Sequence, residues 1–246
     1  MSLYDFSSPR LFVDAPLGPE TEIAPTKDQS NYLLNVLRLG DGDAVLAFNG
    51  RDGEWRMAIR ALSRKQLVLV AHERTREQTE PCDLHYLFAP LKHARLDYVV
   101  QKAVEMGAGL LQPVITRRTQ NGRINLERMQ ANAIEAAEQC GILCVPDVKD
   151  GVKLDKLLSQ WSDSRRLIFC DEDAPIADPV AALRTLARGP LAVIIGPEGG
   201  FDPQEREWLL RVPHVTRLSL GPRILRGDTA GVAALAVVQA ALGDWA

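Results

Sequence analysis

Apolar residues alternate with polar ones in the first part of the chain and recur at helical spacing in much of the rest. The apolar run Val45-Leu46-Ala47-Phe48 meets a turn at Asn49-Gly50-Arg51-Asp52-Gly53. Trp55, Met57, Ile59 and Ala61 then alternate with charged or smaller residues, the period-two mark of a half-buried strand. After Ser63-Arg64-Lys65, Leu67-Val68-Leu69-Val70 predicts a third strand. The region reads as an antiparallel meander or small barrel. One helix is predicted over Asn31–Leu39, where Leu33, Leu34, Val36 and Leu37 recur at helical spacing.

The segment His72–Asp83 is charged, contains Pro81 and lacks periodicity, which places a domain boundary there. We divide the chain at 1–74 and 75–246. Beyond the boundary strands alternate with helices. Leu84–Ala89 is a strand, Arg95–Met106 an amphipathic helix stopped by Gly107, and Leu110–Thr116 the next strand. Asn125 caps a helix reaching Cys140, and helical segments near Lys153–Trp161 and Pro179–Ala187 flank the strand Leu167–Asp171. Leu191–Ile195 and Val215–Leu220 complete the strands. Asp202-Pro203-Gln204-Glu205 opens a helix with a cap, a first-turn proline and a returning glutamate. This alternation argues for an α/β domain with a mostly parallel sheet covered on both faces. The last helix, Thr229–Leu242, is small and apolar nearly all round, so it packs on more than one side. Its alanines allow close approach, and we expect a homodimer built on that face.

Composition narrows the class without deciding it. The 246 residues carry a net charge of −3, so a nucleic-acid partner would have to be held by a local basic patch. Met1–Phe6 lacks a basic start and a long apolar stretch, and no run of about 18 apolar residues occurs. The expectation is a cytoplasmic protein without a membrane segment. Cys82, Cys140, Cys144 and Cys170 are scattered without the spacing of a zinc site, so neither metal nor disulfide is expected.

Two glycine-punctuated loops concentrate the candidate chemistry: Gly196-Pro197-Glu198-Gly199-Gly200 and Gly221-Pro222-Arg223-Ile224-Leu225-Arg226-Gly227-Asp228. Each follows an apolar strand and opens a helix, so both can line one pocket at the strand ends of an α/β sheet. Neither matches the dinucleotide fingerprint, the phosphate-binding loop or the nucleophile elbow. What remains is exposed backbone, suited to the edges of a nucleoside, beside Glu198, Arg223, Arg226 and Asp228.

With their flanks, Ile195–Phe201 and Leu220–Arg226, these loops resemble the RsmE-type 16S ribosomal RNA uridine methyltransferases of the SPOUT superfamily. Arg10-Leu11-Phe12, Val36-Leu37-Arg38 with Gly42-Asp43, Lys102 with Glu105-Met106-Gly107, and Glu135–Gly141 with Pro146 extend the likeness over nearly the whole chain. Three positions depart from the pattern. Asp228 stands where Glu is usual, Ile142 where Arg is common, and Asn31 where His is frequent.

The resemblance implies a PUA-like RNA-binding barrel followed by an α/β SPOUT methyltransferase domain with a trefoil knot, acting as a homodimer. The implied reaction transfers the methyl group of S-adenosylmethionine to uridine N3 in 16S ribosomal RNA of the small subunit. The implied cofactor site comprises Cys170, Asp171 and Glu172, then Gly196, Pro197, Glu198, Gly199 and Gly200. It continues through Leu218, Ser219, Leu220, Gly221, Ile224 and Leu225 to Ala230. Arg226 is the first choice to stabilise charge on the uracil, and Asp228, Glu198 or water to take the N3 proton. Arg10, Arg38, Lys92, Arg117, Arg118 and Arg123 are nominated for RNA, the last three on the polar loop Thr116–Arg123. Another RNA target such as tRNA, or a non-catalytic role in ribosome assembly, remains the alternative.

Overall fold

A computed structural model of the chain describes residues 5, 7–63, 66–92, 94–120, 123–175 and 178–245. Arg64 and Lys65 of the expected turn, Asn121 and Gly122 of the polar loop, and all of Met1–Phe6 except Asp5 lie outside the described residues. The chain forms two compact units, Met1–Glu80 with Ala137–Val145, and Pro81–Ala136 with Pro146–Ala246.

In the first unit, strands β1 (Arg10–Phe12), β2 (Glu22–Ile23), β3 (Ala44–Phe48), β4 (Glu54–Ser63) and β5 (Gln66–Arg76) form one sheet in the order β1-β3-β4-β5-β2. Among the described residues β1 pairs parallel with β3, and the β3–β4, β4–β5 and β5–β2 pairs are antiparallel. The alternation read from the sequence sets the faces: Trp55, Met57 and Ile59 join Val45, Leu67 and Leu69 in the core. The helical segment differs from expectation. Helix α1 (Lys27–Asn31) begins earlier because Thr26 and Gln29 form a reciprocal capping box. It runs into a π-helical turn at Tyr32–Val36, and Arg38 follows in the left-handed region at φ 58°.

A buried ion cluster closes this unit. Glu54 is 1% exposed and accepts from Arg10 Nε at 3.0 Å and from Arg76 Nε at 2.9 Å and Nη2 at 2.5 Å. Burial alone would raise its carboxyl pKa, but Arg76, Thr75 and Arg10 outweigh that and hold it below the usual range. Arg76 also donates to the Gly141 carbonyl, and Glu138 accepts the Phe12 N–H, so Ala137–Val145 is tied to the sheet.

The second unit contains β6 (Leu84–Phe88), α2 (Ala94–Glu105), β7 (Leu110–Ile115) and most of α3 (Leu126–Cys140). Then come β8 (Asp147–Val148), β9 (Val152–Lys153), α4 (Leu154–Ser159), β10 (Arg166–Cys170) and α5 (Pro179–Arg184). The unit ends with β11 (Leu191–Ile195), α6 (Pro203–Leu210), β12 (Val215–Leu218) and α7 (Gly227–Leu242). The strand order is β12-β10-β11-β6-β7-β8 with β9 on β7, and every pair is parallel. The carboxyl ends of these strands therefore lie at one edge.

Side-chain alternation sorts the two faces of this sheet. Leu87, Leu167, Phe169, Ala192 and Ile194 pack with Leu154 of α4 and Leu209 of α6. Tyr86 points to the opposite face, where α7 lies with α2 and α5 against it. Any side chain at Gly231 of α7 would overlap the Tyr86 hydroxyl oxygen. That hydroxyl is buried without a hydrogen-bond partner among the described residues, and burial pushes its pKa far above the usual phenol range. At the other end of α7, buried Gln239 donates to the Met106 carbonyl at 2.7 Å and fixes the helix to the end of α2.

The end of β10 is fastened by charge. Asp171 donates its N–H to the Leu218 carbonyl of β12 at 3.0 Å. Its buried carboxylate accepts from Arg206 of α6 at 2.9 Å and Arg217 of β12 at 2.7 Å. Burial raises the carboxyl pKa, but the two guanidiniums more than reverse this and leave it depressed.

Gly231→Ala gains about 1 kcal/mol of helix preference yet loses about 1–3 kcal/mol to overpacking, so a lower urea midpoint is expected. Tyr86→Phe removes an unpaired buried hydroxyl and should raise the midpoint; in that background the Gly231→Ala cost shrinks. Equal midpoints for Gly231→Ala and wild type would contradict the close approach. Asp171→Asn should cost about 1.5–3 kcal/mol at neutral pH, the worth of hydrogen bonds to a charged group. Because the carboxyl is depressed in the folded state, its stabilisation is present above the ordinary value of 3.8 and fades as pH falls toward the lowered one. Acid melts should therefore bring variant and wild type together, whereas a gap independent of pH would argue against ionic fastening.

Candidate active site

The first glycine loop leaves β11 at Ile195. A side chain at Gly196 would crowd the Phe201 ring, which packs edge-on against Phe169 at 5.4 Å between ring centres. Gly200 turns the chain at φ 68°, donating its N–H to the Pro197 carbonyl at 2.8 Å. Its open side faces the Glu172 carboxylate at the end of β10. Asp202 and Glu205 then cap α6 reciprocally, as the sequence predicts.

The second loop leaves β12 at Leu218, half-buried through Ser219 and Leu220 and exposed from Gly221 to Ile224. Ile224 is 92% exposed. Helix α7 starts two residues before the expected Thr229, with Arg226 at the cap position and no side chain capping it. The Ala230 N–H closes the first turn on the Arg226 carbonyl at 2.7 Å. Gly227 faces Leu91 at the end of β6 and the Gly196 carbonyl. The two loops therefore meet, and the loop after β6 joins them.

Charge organises the junction. Arg95, in the first turn of α2, donates from Nη1 to Glu198 Oε1 at 2.6 Å, and its Nε lies 3.9 Å from Asp228 Oδ2. The Asp228 side chain is 18% exposed against 46% for Glu198. Asp228 Oδ1 accepts the Thr229 N–H at 2.8 Å. Arg226 is exposed, and among the described residues its guanidinium forms neither a hydrogen bond nor an ion pair. A cleft of about 390 Å³ opens beside Arg95 and Glu198. Pro90, Leu91 and Pro197 supply apolar wall; Lys92, Arg95 and Arg118 bring positive charge, with Gln120 and Glu198 completing it.

The nominated residues divide by what they touch. Cys170 is half-buried; burial, with the Asp171 charge beside it, pushes its thiol up to about 12, so it stays neutral. The Asp171 carboxylate is occupied by Arg206 and Arg217, whereas Glu172 is exposed. Arg10, nominated for RNA, is buried on Glu54 and is not presented to phosphate. Arg117 is held by Asp202 at 2.8 Å and Gln204 at 2.5 Å, over the Trp208 ring. Arg118 donates to the Gly199 carbonyl at 2.8 Å and clamps the first loop. Arg38, Lys92 and Arg123 are exposed.

Arg95 was not among the residues nominated from the sequence. The available signal was its place just after the carboxyl end of β6, the edge that carries both glycine loops. A helix-start arginine gives no sequence cue that it reaches acids more than a hundred residues away.

Among the described residues no group of three His, Cys, Asp or Glu side chains is placed to hold a metal ion, and no helix is long and apolar enough to cross a membrane. The chain is similar to the ribosomal RNA small subunit methyltransferase E of Rickettsia conorii, at 28% identity over 232 residues, covering 94% of each chain. It also resembles the crystal structure of that methyltransferase from Neisseria gonorrhoeae bound to S-adenosyl methionine. The identity there is 26% and the TM-score 0.85, over 97% of this chain and 100% of the other. A protein of Legionella pneumophila, solved with the bound cofactor SAM, matches at 28% identity and a TM-score of 0.82, over 95% and 98%. An RNA methyltransferase PUA domain model matches residues 25–71. With a further model matching residues 78–239, most of the chain, this protein belongs to the RNA methyltransferase domain family.

Proposed function

We propose that this chain transfers the methyl group of S-adenosylmethionine to N3 of a uridine in 16S ribosomal RNA of the small subunit, as a cytoplasmic homodimer. The observation that carries the reading is the meeting of two glycine loops, a carboxylate pair and an unpaired arginine at the carboxyl edge of a parallel sheet in a chain of this family. The same reading includes the C-terminal trefoil knot that the sequence resemblance implies.

The residues present fit the donor. Leu218–Gly221 offer backbone edges at a strand end, Ile224 and Leu225 apolar surface, and Glu172 an exposed carboxylate suited to a cationic ligand. When bound, S-adenosylmethionine supplies an activated methyl group on a sulfonium centre, so the protein's task is alignment and proton removal. Asp228 and Glu198 are the groups able to take the N3 proton. Arg226, with its donors unused, can hydrogen-bond a uracil carbonyl as negative charge spreads onto it. Lys92 and Arg118, at the cleft, and the exposed Arg38 and Arg123 are the cations offered to RNA phosphates. A half-buried apolar stripe on α7, Val232, Ala233, Ala236, Val237 and Ala240, is the surface assigned to the second copy.

Purified protein given tritiated S-adenosylmethionine and unmethylated small subunits should label one uridine at N3. Label on tRNA would redirect the reading, and absence of cofactor binding by calorimetry would overturn it. Arg226→Ala should lower the turnover number by about 10²–10³-fold, the cost of losing one donor to a developing anion, with cofactor affinity retained. An undiminished rate would remove Arg226 from the chemistry. Lys92→Ala should reduce the slope of log RNA affinity against log salt by about one. Arg10→Ala should leave that slope unchanged while lowering thermal stability, and the reverse would mean that Arg10 faces the RNA. Light scattering should give twice the 27.1 kDa chain mass, and a monomer would remove the dimer from the reading.

A further inference from the structure

We propose that Arg95 is a positioning residue of the methyl-transfer site: it ties the Glu198 carboxylate of the first glycine loop to the Asp228 carboxylate of α7, so that an acceptor base meets both acids in one arrangement. The inference rests on the proposed function and adds a residue to it. Arg95 sits at the start of α2, Glu198 in the loop after β11 and Asp228 in the first turn of α7, so one guanidinium joins three chain segments. Among the described residues no other cation forms an ion pair with either acid.

One guanidinium stands between the two carboxylates, holding Glu198 by a short hydrogen bond and drawing Asp228 by charge. The division of contacts suits that task. Asp228 uses Oδ1 on the Thr229 N–H, leaving Oδ2 toward Arg95. Among the described residues, Nη1 is the Arg95 guanidinium nitrogen that makes a hydrogen bond, and Arg95 lines the cleft. The other charged or titratable groups nearby are Arg226 at the cap of α7, Lys92 and Arg118 around the cleft, and the buried Tyr86 hydroxyl of β6, which feels the Asp228 charge. Ion pairs as exposed as Arg95–Glu198 add little to folding stability. The arrangement is therefore worth more as positioning than as fold.

The test is a double-mutant cycle with a second readout that needs no RNA. Arg95→Gln should lower the turnover number on small subunits about 10–100-fold, the scale of a small misplacement of reacting groups. The RNA KM, the calorimetric affinity for S-adenosylmethionine and the melting midpoint should stay near wild type, and Arg95→Lys should recover part of the rate. Adding Arg95→Gln to Asp228→Asn should slow the enzyme little further, because both act through one constellation. Additive losses would overturn the proposal. In hydrogen exchange without RNA, amides in residues 196–200 and 227–229 should both exchange faster in Arg95→Gln. Unchanged exchange in both segments would also overturn it. If wild type methylates no small subunit, the proposed function fails by itself, and the exchange result still decides whether Arg95 couples the two segments.

Discussion

Helix α7 can lie against its sheet as closely as it does only because position 231 has no side chain. The Tyr86 hydroxyl occupies the space a Cβ would fill, and Gln239 anchors the far end of the helix on the Met106 carbonyl. Those two contacts set the height and the reach of α7, and so where its first turn falls. That turn carries Gly227 against Leu91 and the Gly196 carbonyl, and brings Asp228 within range of Arg95. A buried hydroxyl without a partner is an energetic cost at the point where the helix is pinned. The structure therefore retains a local penalty beside the constellation it positions.

Arginine plays two roles in the second unit, and the partners each one meets separate them. Arg206 and Arg217 converge on the buried Asp171 and lock the ends of β10 and β12 to α6. Arg117 does the same for the start of α6. These guanidiniums are used up by the fold. Among the described residues Arg226 has no such partner and Arg95 spends part of its donor set, so these two have donors to offer a ligand. The fixed arginines hold the strand ends still, while Arg95 lines the cleft and Arg226 stands exposed at the start of α7. Rigid support under a small number of free donors is what a site needs if charge is to be stabilised without reorganisation.

Much of this arrangement was legible in the residues. The period-two run Trp55–Ala61, the capped start at Asp202 and the apolar strand Leu191–Ile195 each depend on neighbours in sequence, and each stands where the pattern places it. Strand–loop–helix order put the two glycine loops at a common edge, and Gly227 does face the Gly196 carbonyl, while the cleft itself is lined by the first loop and not the second. Local competition misled the reading at α1. The capping box at Thr26 starts the helix early, and a π-helical turn with a left-handed Arg38 ends it by Val36. Partners distant in sequence were illegible. Nothing near Arg10 announces Glu54 and nothing near Arg95 announces Glu198, because an arginine looks the same whether it will meet a phosphate or a carboxylate.

The central claim is that the two loops and the turn of α7 form one methyl-donor site. Titrating S-adenosylmethionine into isotope-labelled protein while following backbone amide shifts tests it most directly. The account predicts that the strongest perturbations fall together on Gly196–Gly200 and Leu218–Leu225, and extend to the first turn of α7. Perturbations confined to only one of the loops, or centred elsewhere in the chain, would contradict it.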